Sequence, residues 1–492
     1  MDLFERFREY RQSHPENTAF MASVGDRFLS ISWKTFTDDI ALVAEVIRVH
    51  ARGKVIALLG ENSYEWMVAH AACLFAGAVV VPIDTTLSPE DIVFRLKKVD
   101  ALALVYSSLC REKAVAVKAI YGKINIARFS NIQTDSFLSL ASQRLKAGKP
   151  SIWDEPVDTE NPHRVSMYVF TSGTTSSPRA AMHTVAALEA FCDAASSRLH
   201  LRQGMRSLMV LPLQHIFGIC TAYLMLAEGV HVGICPDFRR LYSAVERFRV
   251  NFIFLVPALA DVLAKKIARH DIEDPLPCRP EFILTGGAHL PDKTYGLLST
   301  LGIKVLTAYG LTETCSMYSM DHVDGKVEPG SAGMSFSDAQ TETKVSGEGE
   351  LLIRGPSVFK GYFDDESSTK KAFTEDGWFK TGDLGRIDED GNVWITGRIS
   401  RIIIFDTGKK VSPEELESRM LALPGIEEAL VYSRNNNRVI VAEVYSKLSK
   451  AAVEKAILKF NRKLPVYMRI REIVVRHTPL PRTASGKIKM RK

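Results

Sequence analysis

Residues 168–183, Tyr-Val-Phe-Thr-Ser-Gly-Thr-Thr-Ser-Ser-Pro-Arg-Ala-Ala-Met-His, crowd hydroxyl side chains around one glycine. A loop of this kind can wrap phosphate oxygens. Backbone N–H groups around Gly173 and the hydroxyls of Thr171, Ser172, Thr174 and Thr175 would donate, and Arg179 would supply positive charge. The same composition also suits a flexible Ser/Thr/Gly turn. The apolar run before the loop predicts a strand, and the residues after it predict a helix. A phosphate loop of the GxxxxGK[ST] kind is missing, because none of the Gly-Lys pairs is followed by Ser or Thr. Any nucleotide triphosphate would be held in another way.

Such a loop needs a sheet to carry it. Residues 55–106 read as strand (VIALLG), helix (from Tyr64 to Ala76), strand (AVVVPID), helix (from Pro89 to Val99) and strand (ALALVYS), the alternation of a parallel sheet covered by helices. Short apolar strands recur at 165–170, 207–211, 230–234, 252–256, 282–284 and 305–308. From 349 to 363 and from 385 to 395 the pattern becomes β-rich, with turn signals at Glu375-Asp376-Gly377 and Asp390-Gly391. A smaller α+β unit is expected from residue 399 onward.

The chain has 492 residues, 46% of them hydrophobic and 24% charged, which excludes disorder, collagen and a small disulfide scaffold. Seven scattered cysteines without zinc spacing point to a reducing cytoplasm. The first residues, MDLFERFREYRQ, carry mixed charge and no apolar h-region, so no signal peptide is expected. The most apolar long run, 67–83, is short for a membrane span, contains His70, and reads as a buried helix followed by a strand. Net charge is +6, yet residues 399–492 hold 20 Lys/Arg against 9 Asp/Glu, while residues 1–398 hold 43 against 48. A basic C-terminal unit facing an acidic body expects an anionic partner, whether a phosphorylated small molecule, nucleic acid or an anionic membrane.

Residues 168–179 resemble the phosphate loop of the adenylate-forming superfamily, which includes acyl-CoA and aryl-CoA synthetases, luciferases and the adenylation domains of peptide synthetases. Further motifs follow in the expected order: LPLQHIFG at 211–218, TGGA at 285–288, AYGLTET at 308–314, GELLIRG at 349–355 with KGY at 360–362, TGDLG at 381–385, Gly397-Arg398, and PRTASGK at 481–487. The resemblance spans nearly the whole chain and is closest to fatty-acyl-CoA ligases, to which Asn62-Ser-Tyr-Glu-Trp66 and residues 402–413 are also similar.

The resemblance implies a role for each motif. Glu313 would be the magnesium-linked glutamate and Thr312 a phosphate contact; Asp383 would accept from both ribose hydroxyls, with Arg398 supporting ribose or phosphates. Gly286, Gly287 and Ala288 with Tyr309 would form the adenine slot, and Gly310 would also bind the nucleotide. His215, Phe217, Gly218, Gly287 and Gly310 would line the acyl pocket beside the reacting carboxylate. Lys487 would bridge that carboxylate and the α-phosphate during adenylation. Read singly, Asp383 suits a turn, His215 a core position, and Lys487 one more charge in a basic tail.

The implied architecture is α/β: a large N-terminal domain, 1–398, of layered α/β subdomains plus a small β-barrel-like unit, then a mobile α+β lid, 399–492, hinged at Ser400. Three places depart from the family pattern. Arg179 stands where lysine is common, Ser176 where glycine is frequent, and Ser400-Arg401 where Lys or Asp precedes an acidic residue. The implied reaction uses ATP and Mg2+ to convert a carboxylic acid into an acyl adenylate. No aspartate marks 214–218 for a substrate ammonium, so medium- or long-chain fatty acids lead and aryl acids stay open. The acceptor would be CoA, favoured by the basic lid, or a separate acyl carrier protein. A non-catalytic ATP- or acyl-binding homologue is the alternative outside enzymes, and a nucleic-acid partner or transmembrane segment is not expected.

Overall fold

The computed structural model describes residues 2–24, 27–129, 152–153, 161–171, 178–235, 237–270, 279–337, 340–405, 409–435, 437, 439–482 and 488–490. Among them, six strands form the first sheet, in the order Asn125–Arg128, Ala101–Tyr106, Val55–Leu59, Val79–Ile83, Val165–Thr171 and Arg179–Thr184. The first five run parallel. Every residue of Val55–Leu59 and Val79–Ile83 is buried, as a parallel sheet covered on both faces requires. The intervening helices start where the sequence supplies caps: Ser63 accepts from the Trp66 N–H ahead of Tyr64–Phe75, and Ser88 from Asp91 ahead of Pro89–Lys98.

One expectation is corrected here. The segment after the hydroxyl-rich loop is a strand, Arg179–Thr184, antiparallel to Val165–Thr171. The helix begins only at Val185, capped by Thr184. Arg-Ala-Ala-Met-His-Thr has adequate helix propensity, but both of its edges find partners. Residues 165–171 pair with one, and the other exchanges backbone hydrogen bonds with 360–363, including Met182 N–H to Gly361 O (2.9 Å) and Phe363 N–H to Ala180 O (2.8 Å). Ala180 and Ala181 are fully buried, and their small side chains let the layers approach. Thr171 and Arg179 are therefore paired across a hairpin, and Arg179 does not open a helix.

A second sheet orders Arg27–Ser32, Thr18–Val24, His231–Ile234 and Arg206–Met209. A third sets Phe252–Leu255, Phe282–Thr285 and Lys304–Tyr309 parallel, then adds the short antiparallel strands Ser319–Met320 and Met334–Ser335. The β-rich region forms an antiparallel sheet of Glu342–Val345, Glu350–Arg354, Phe379–Ile387 and Val393–Arg398, and a bridge between Met334 and Asn392 joins it to the third sheet in the small barrel-like unit. After residue 399, Ile426–Arg434, Val439–Ser446 and Glu472–Arg476 pack with helices Pro413–Leu421 and Lys450–Asn461 around a separate core that includes Leu416, Val431, Ala442 and Ile457. Among the described residues, no helix is long and apolar enough to cross a membrane.

The apolar run around His70 is the buried helix and strand expected. His70 is fully buried, stacks on Trp66 and lies 2.8 Å from the Tyr223 hydroxyl; burial lowers its pKa to about 3. The folded state therefore binds fewer protons than the unfolded chain, in which a histidine titrates near 6.5. His70 is expected to cost about 1.4 kcal/mol of stability per pH unit as pH falls from roughly 6.5 toward 3. Denaturant titrations across that window should show a shallower slope in His70→Gln, and an unchanged slope would refute the assignment.

Candidate active site

The motifs converge at the carboxyl ends of parallel strands. Leu211 follows Arg206–Met209, Gly286 follows Phe282–Thr285, Gly310 follows Lys304–Tyr309, and the hairpin of Thr171 and Arg179 closes the end of Val165–Thr171. In open α/β sheets this is where ligands bind, because the loops there are free to diverge and the backbone presents unpaired groups.

Residues 211–215 form a loop pinned from beneath by Asn62. Its buried amide donates to Leu211 O (2.9 Å) and accepts from the Leu213 N–H (2.9 Å). His215 then precedes the helix Ile216–Ala227. A Cβ on Gly218 would stand 2.3 Å from Pro212 O, so only glycine lets the loop turn into that helix. The Phe217 ring lies 3.3 Å from where a Cβ of Gly286 would be, which brings the 211–218 and 285–288 motifs together. Gly286 is buried, whereas Gly287 (φ +82°) and Ala288 are exposed small residues.

Asp383 lies within the strand Phe379–Ile387, next to a register shift and to Gly382 at φ +72°, which together turn its carboxylate inward. It is 2% exposed, and its register partner is Arg398. Arg398 Nε lies 2.6 Å from Asp383 Oδ1, and the Tyr309 hydroxyl donates to Oδ2. Burial, helped by neighbouring Tyr318 and Asp383, holds the Tyr309 phenol far above its usual range, so it stays protonated as a donor. Tyr309 also meets Tyr318 edge to face at 5.1 Å. Three motifs 74 and 15 residues apart thus share one carboxylate.

Thr312 and Glu313 lie on the single 3-10 turn Thr312–Thr314 that follows Gly310. The Tyr362 hydroxyl donates to Glu313 Oε1 at 2.7 Å, and the Glu313 carbonyl accepts from the Phe359 N–H at 2.8 Å. The Arg179 guanidinium lies over the Tyr362 ring, 4.3 Å from its centroid. Among the described residues, no group of three His, Cys, Asp or Glu side chains could hold a metal by itself. One carboxylate, Glu313, held by Tyr362, fits magnesium carried on the nucleotide, a hard cation that keeps water and phosphate oxygens as its main ligands.

The Thr171 hydroxyl faces Arg179 O across the hairpin base at 3.5 Å. Ser172, Gly173, Thr174, Thr175, Ser176 and Lys487 lie outside the described residues. An antiparallel bridge pairs Arg482 with Ile488 on either side of the segment that carries Lys487.

Ser400 is exposed in the turn Ile399–Arg401 between the two units. Arg401, where the family pattern has an acidic residue, is half-buried in an ion-pair network: Nη1 lies 2.8 Å from Glu414 and Nη2 2.6 Å from Glu417, and Nη2 also donates to Val431 O at 3.1 Å. The basic residue has its acidic partners on the next helix, so its charge is matched inside the C-terminal unit. The Ser412 hydroxyl donates to Thr396 O (2.9 Å) across the junction.

Sequence reasoning did not single out Asn62, Tyr362 or the pair Cys220 and Cys315. The two sulfurs of that pair lie 3.7 Å apart beneath the site, both fully buried. Asn62 and Tyr362 stood in quoted motifs, but their partners are 149 and 49 residues away and no local pattern names them.

A sequence profile of the AMP-binding enzyme family matches residues 7–363, and that of the AMP-binding enzyme C-terminal domain matches 415–487. The chain belongs to the AMP-binding enzyme family. This AMP-binding enzyme is 27% identical over 455 residues to the long-chain-fatty-acid–CoA ligase FadD13 of Mycobacterium tuberculosis, covering 89% of this chain and 87% of that protein. It is 28% identical over 473 residues to 4-coumarate–CoA ligase 2 of Oryza sativa, covering 89% and 82%. ATP-bound MatB from Rhodopseudomonas palustris shares its fold, with a TM-score of 0.84 at 24% identity over 99% of this chain and 97% of that one. The relatives are CoA ligases, and their acids differ.

Proposed function

We propose that this AMP-binding enzyme is an AMP-forming acid–thiol ligase that activates a medium- or long-chain fatty acid. The observation that carries the reading is that separate motifs are brought together: Glu313 and Arg179 share Tyr362, and Asp383 is held by Tyr309 and Arg398. In the first half-reaction a carboxylate oxygen attacks the α-phosphorus of ATP, the bond to the bridging oxygen breaks, and acyl adenylate and pyrophosphate form. In the second, the CoA thiol loses its proton and attacks the acyl carbon, releasing AMP.

The roles follow from charge and position. Two anions must meet, so cations and donors have to offset their repulsion. Arg179 and the loop 171–175 would bind phosphates with Thr312, and Lys487 would span the carboxylate and the α-phosphate. Magnesium, when bound, neutralises triphosphate charge and eases departure of pyrophosphate. Asp383, already oriented by Tyr309 and Arg398, would accept from the ribose hydroxyls, and the exposed Gly287 and Ala288 would admit adenine beside Tyr309. His215 and Phe217, positioned by Asn62 and Gly218, would flank the acyl carboxylate.

We divide the chain into 1–398 and a lid, 399–492, that turns about Ser400 between half-reactions. The basic lid favours CoA, whose phosphates it would attract, over a carrier protein. Free thiols at all six cysteines whose state is described suit a cytoplasmic enzyme.

Lys487→Ala tests the division of labour. Adenylation, followed as pyrophosphate release, should fall about 100- to 1,000-fold, the scale for losing one preorganised charge donor. ATP binding and conversion of supplied acyl adenylate by CoA should persist. An unchanged adenylation rate would remove Lys487 from the reaction.

A further inference from the structure

We infer that Tyr362 is a positioning residue for Glu313, its hydroxyl fixing the carboxylate while its ring face holds the Arg179 guanidinium. The inference rests on the reading of the site as one for ATP with magnesium. Arg179, at the start of its strand, and Glu313, on the turn Thr312–Thr314, are opposite charges, and nothing in their types alone prevents them from pairing directly and closing the site. The structure gives each of them its own partner on Tyr362. The Arg179 guanidinium lies on its ring face at 4.3 Å, and the hydroxyl at the ring edge donates to Glu313 Oε1 at 2.7 Å. Arg179 makes no ion pair with any described residue, so its charge is held by the ring's quadrupole and left available for phosphate.

Tyr362 can serve as a fixed support because its own position is over-determined. It is 5% exposed, forms an antiparallel bridge with Ala181, and its N–H donates to Thr369 Oγ1 at 2.9 Å. The preceding Gly361, at φ +125°, has no room for a side chain: a Cβ would lie 2.6 Å from Thr369. Edge-to-face contact with Phe359 at 4.9 Å holds the ring from another side. This arrangement also accounts for arginine at 179. A planar guanidinium spreads over an aromatic face, and the stack fixes its position, which the point charge of a lysine would do less well.

A carboxylate near a metal depends on the hydrogen bond that orients it, and loss of such a bond typically costs 10- to 100-fold in metal affinity. The test measures ATP binding by calorimetry, once with Mg2+ and once with EDTA, for the wild-type enzyme, Tyr362→Phe, Glu313→Gln and the double variant. Tyr362→Phe keeps the ring and the stack and removes only the hydroxyl. Affinity in EDTA should stay within about twofold of wild type, while the gain conferred by Mg2+ should shrink about tenfold. In the Glu313→Gln background, Tyr362→Phe should add no further loss, because its effect runs through that carboxylate. An undiminished Mg2+ gain in Tyr362→Phe, or losses that multiply in the double variant, would overturn the inference. A wild-type enzyme that binds no ATP under either condition would overturn both it and the ATP reading.

Discussion

Gly310→Ala is expected to cut adenylation by about 100-fold or more while most of the fold stands, because reacting groups displaced by about 1 Å lose that much rate. A Cβ at position 310 would sit 1.8 Å from Ser316 O and 2.5 Å from Met317 Cα, and neither backbone atom can swing aside. The turn between them is already committed. Cys315 and Ser316 hold φ of +48° and +87°, the Ser316 N–H donates to Leu311 O, and the Tyr318 N–H donates to Tyr309 O. To admit a methyl group the turn must shift as a body, and it carries Thr312 and Glu313 with it. Pyrophosphate release, with circular dichroism as a check on folding, measures the effect. Near-normal activity in Gly310→Ala would mean that the turn is looser than its contacts indicate.

Asp383→Ala should weaken ATP binding about 100-fold. Two hydrogen bonds from ribose to a charged acceptor, at about 1.5 kcal/mol each, make up that factor. Stability should fall as well, since the Tyr309 hydroxyl and Arg398 lose their common partner. The cost is set at about 2–3 kcal/mol, below the range for a wholly buried pair, because the Arg398 side chain is 46% exposed and water replaces part of the lost interaction. Asp383→Asn keeps the volume and one acceptor, so it should recover part of the stability and little of the ATP affinity. Wild-type ATP affinity in both variants would place the ribose elsewhere.

Much of this molecule could be read from its residues. The strands at 55–59, 79–83, 252–255 and 282–285 are short apolar runs whose only comfortable place is a covered parallel sheet. Glu313 and Asp383 stood out by type and context. What escaped reading depends on partners far away in sequence. Arg179–Thr184 is a strand because residues 165–171 and 360–363 claim its two edges, and local propensity carries no record of either. Arg401 looked anomalous until Glu414 and Glu417 were found to surround it. Asn62 is visible as a residue of its motif, yet its task, anchoring Leu211 and Leu213 149 and 151 residues away, exists only in the fold.

Release of pyrophosphate with ATP and Mg2+ across a panel of fatty, aryl and amino acids, each run with and without CoA and with the products weighed by mass spectrometry, tests the central claim most directly. The account predicts release with medium- or long-chain fatty acids and an acyl-CoA mass only where CoA is present. Release with a fatty acid but no acyl-CoA would contradict CoA as acceptor and turn attention to a carrier protein. No release with any acid would contradict the assignment of this chain as a ligase.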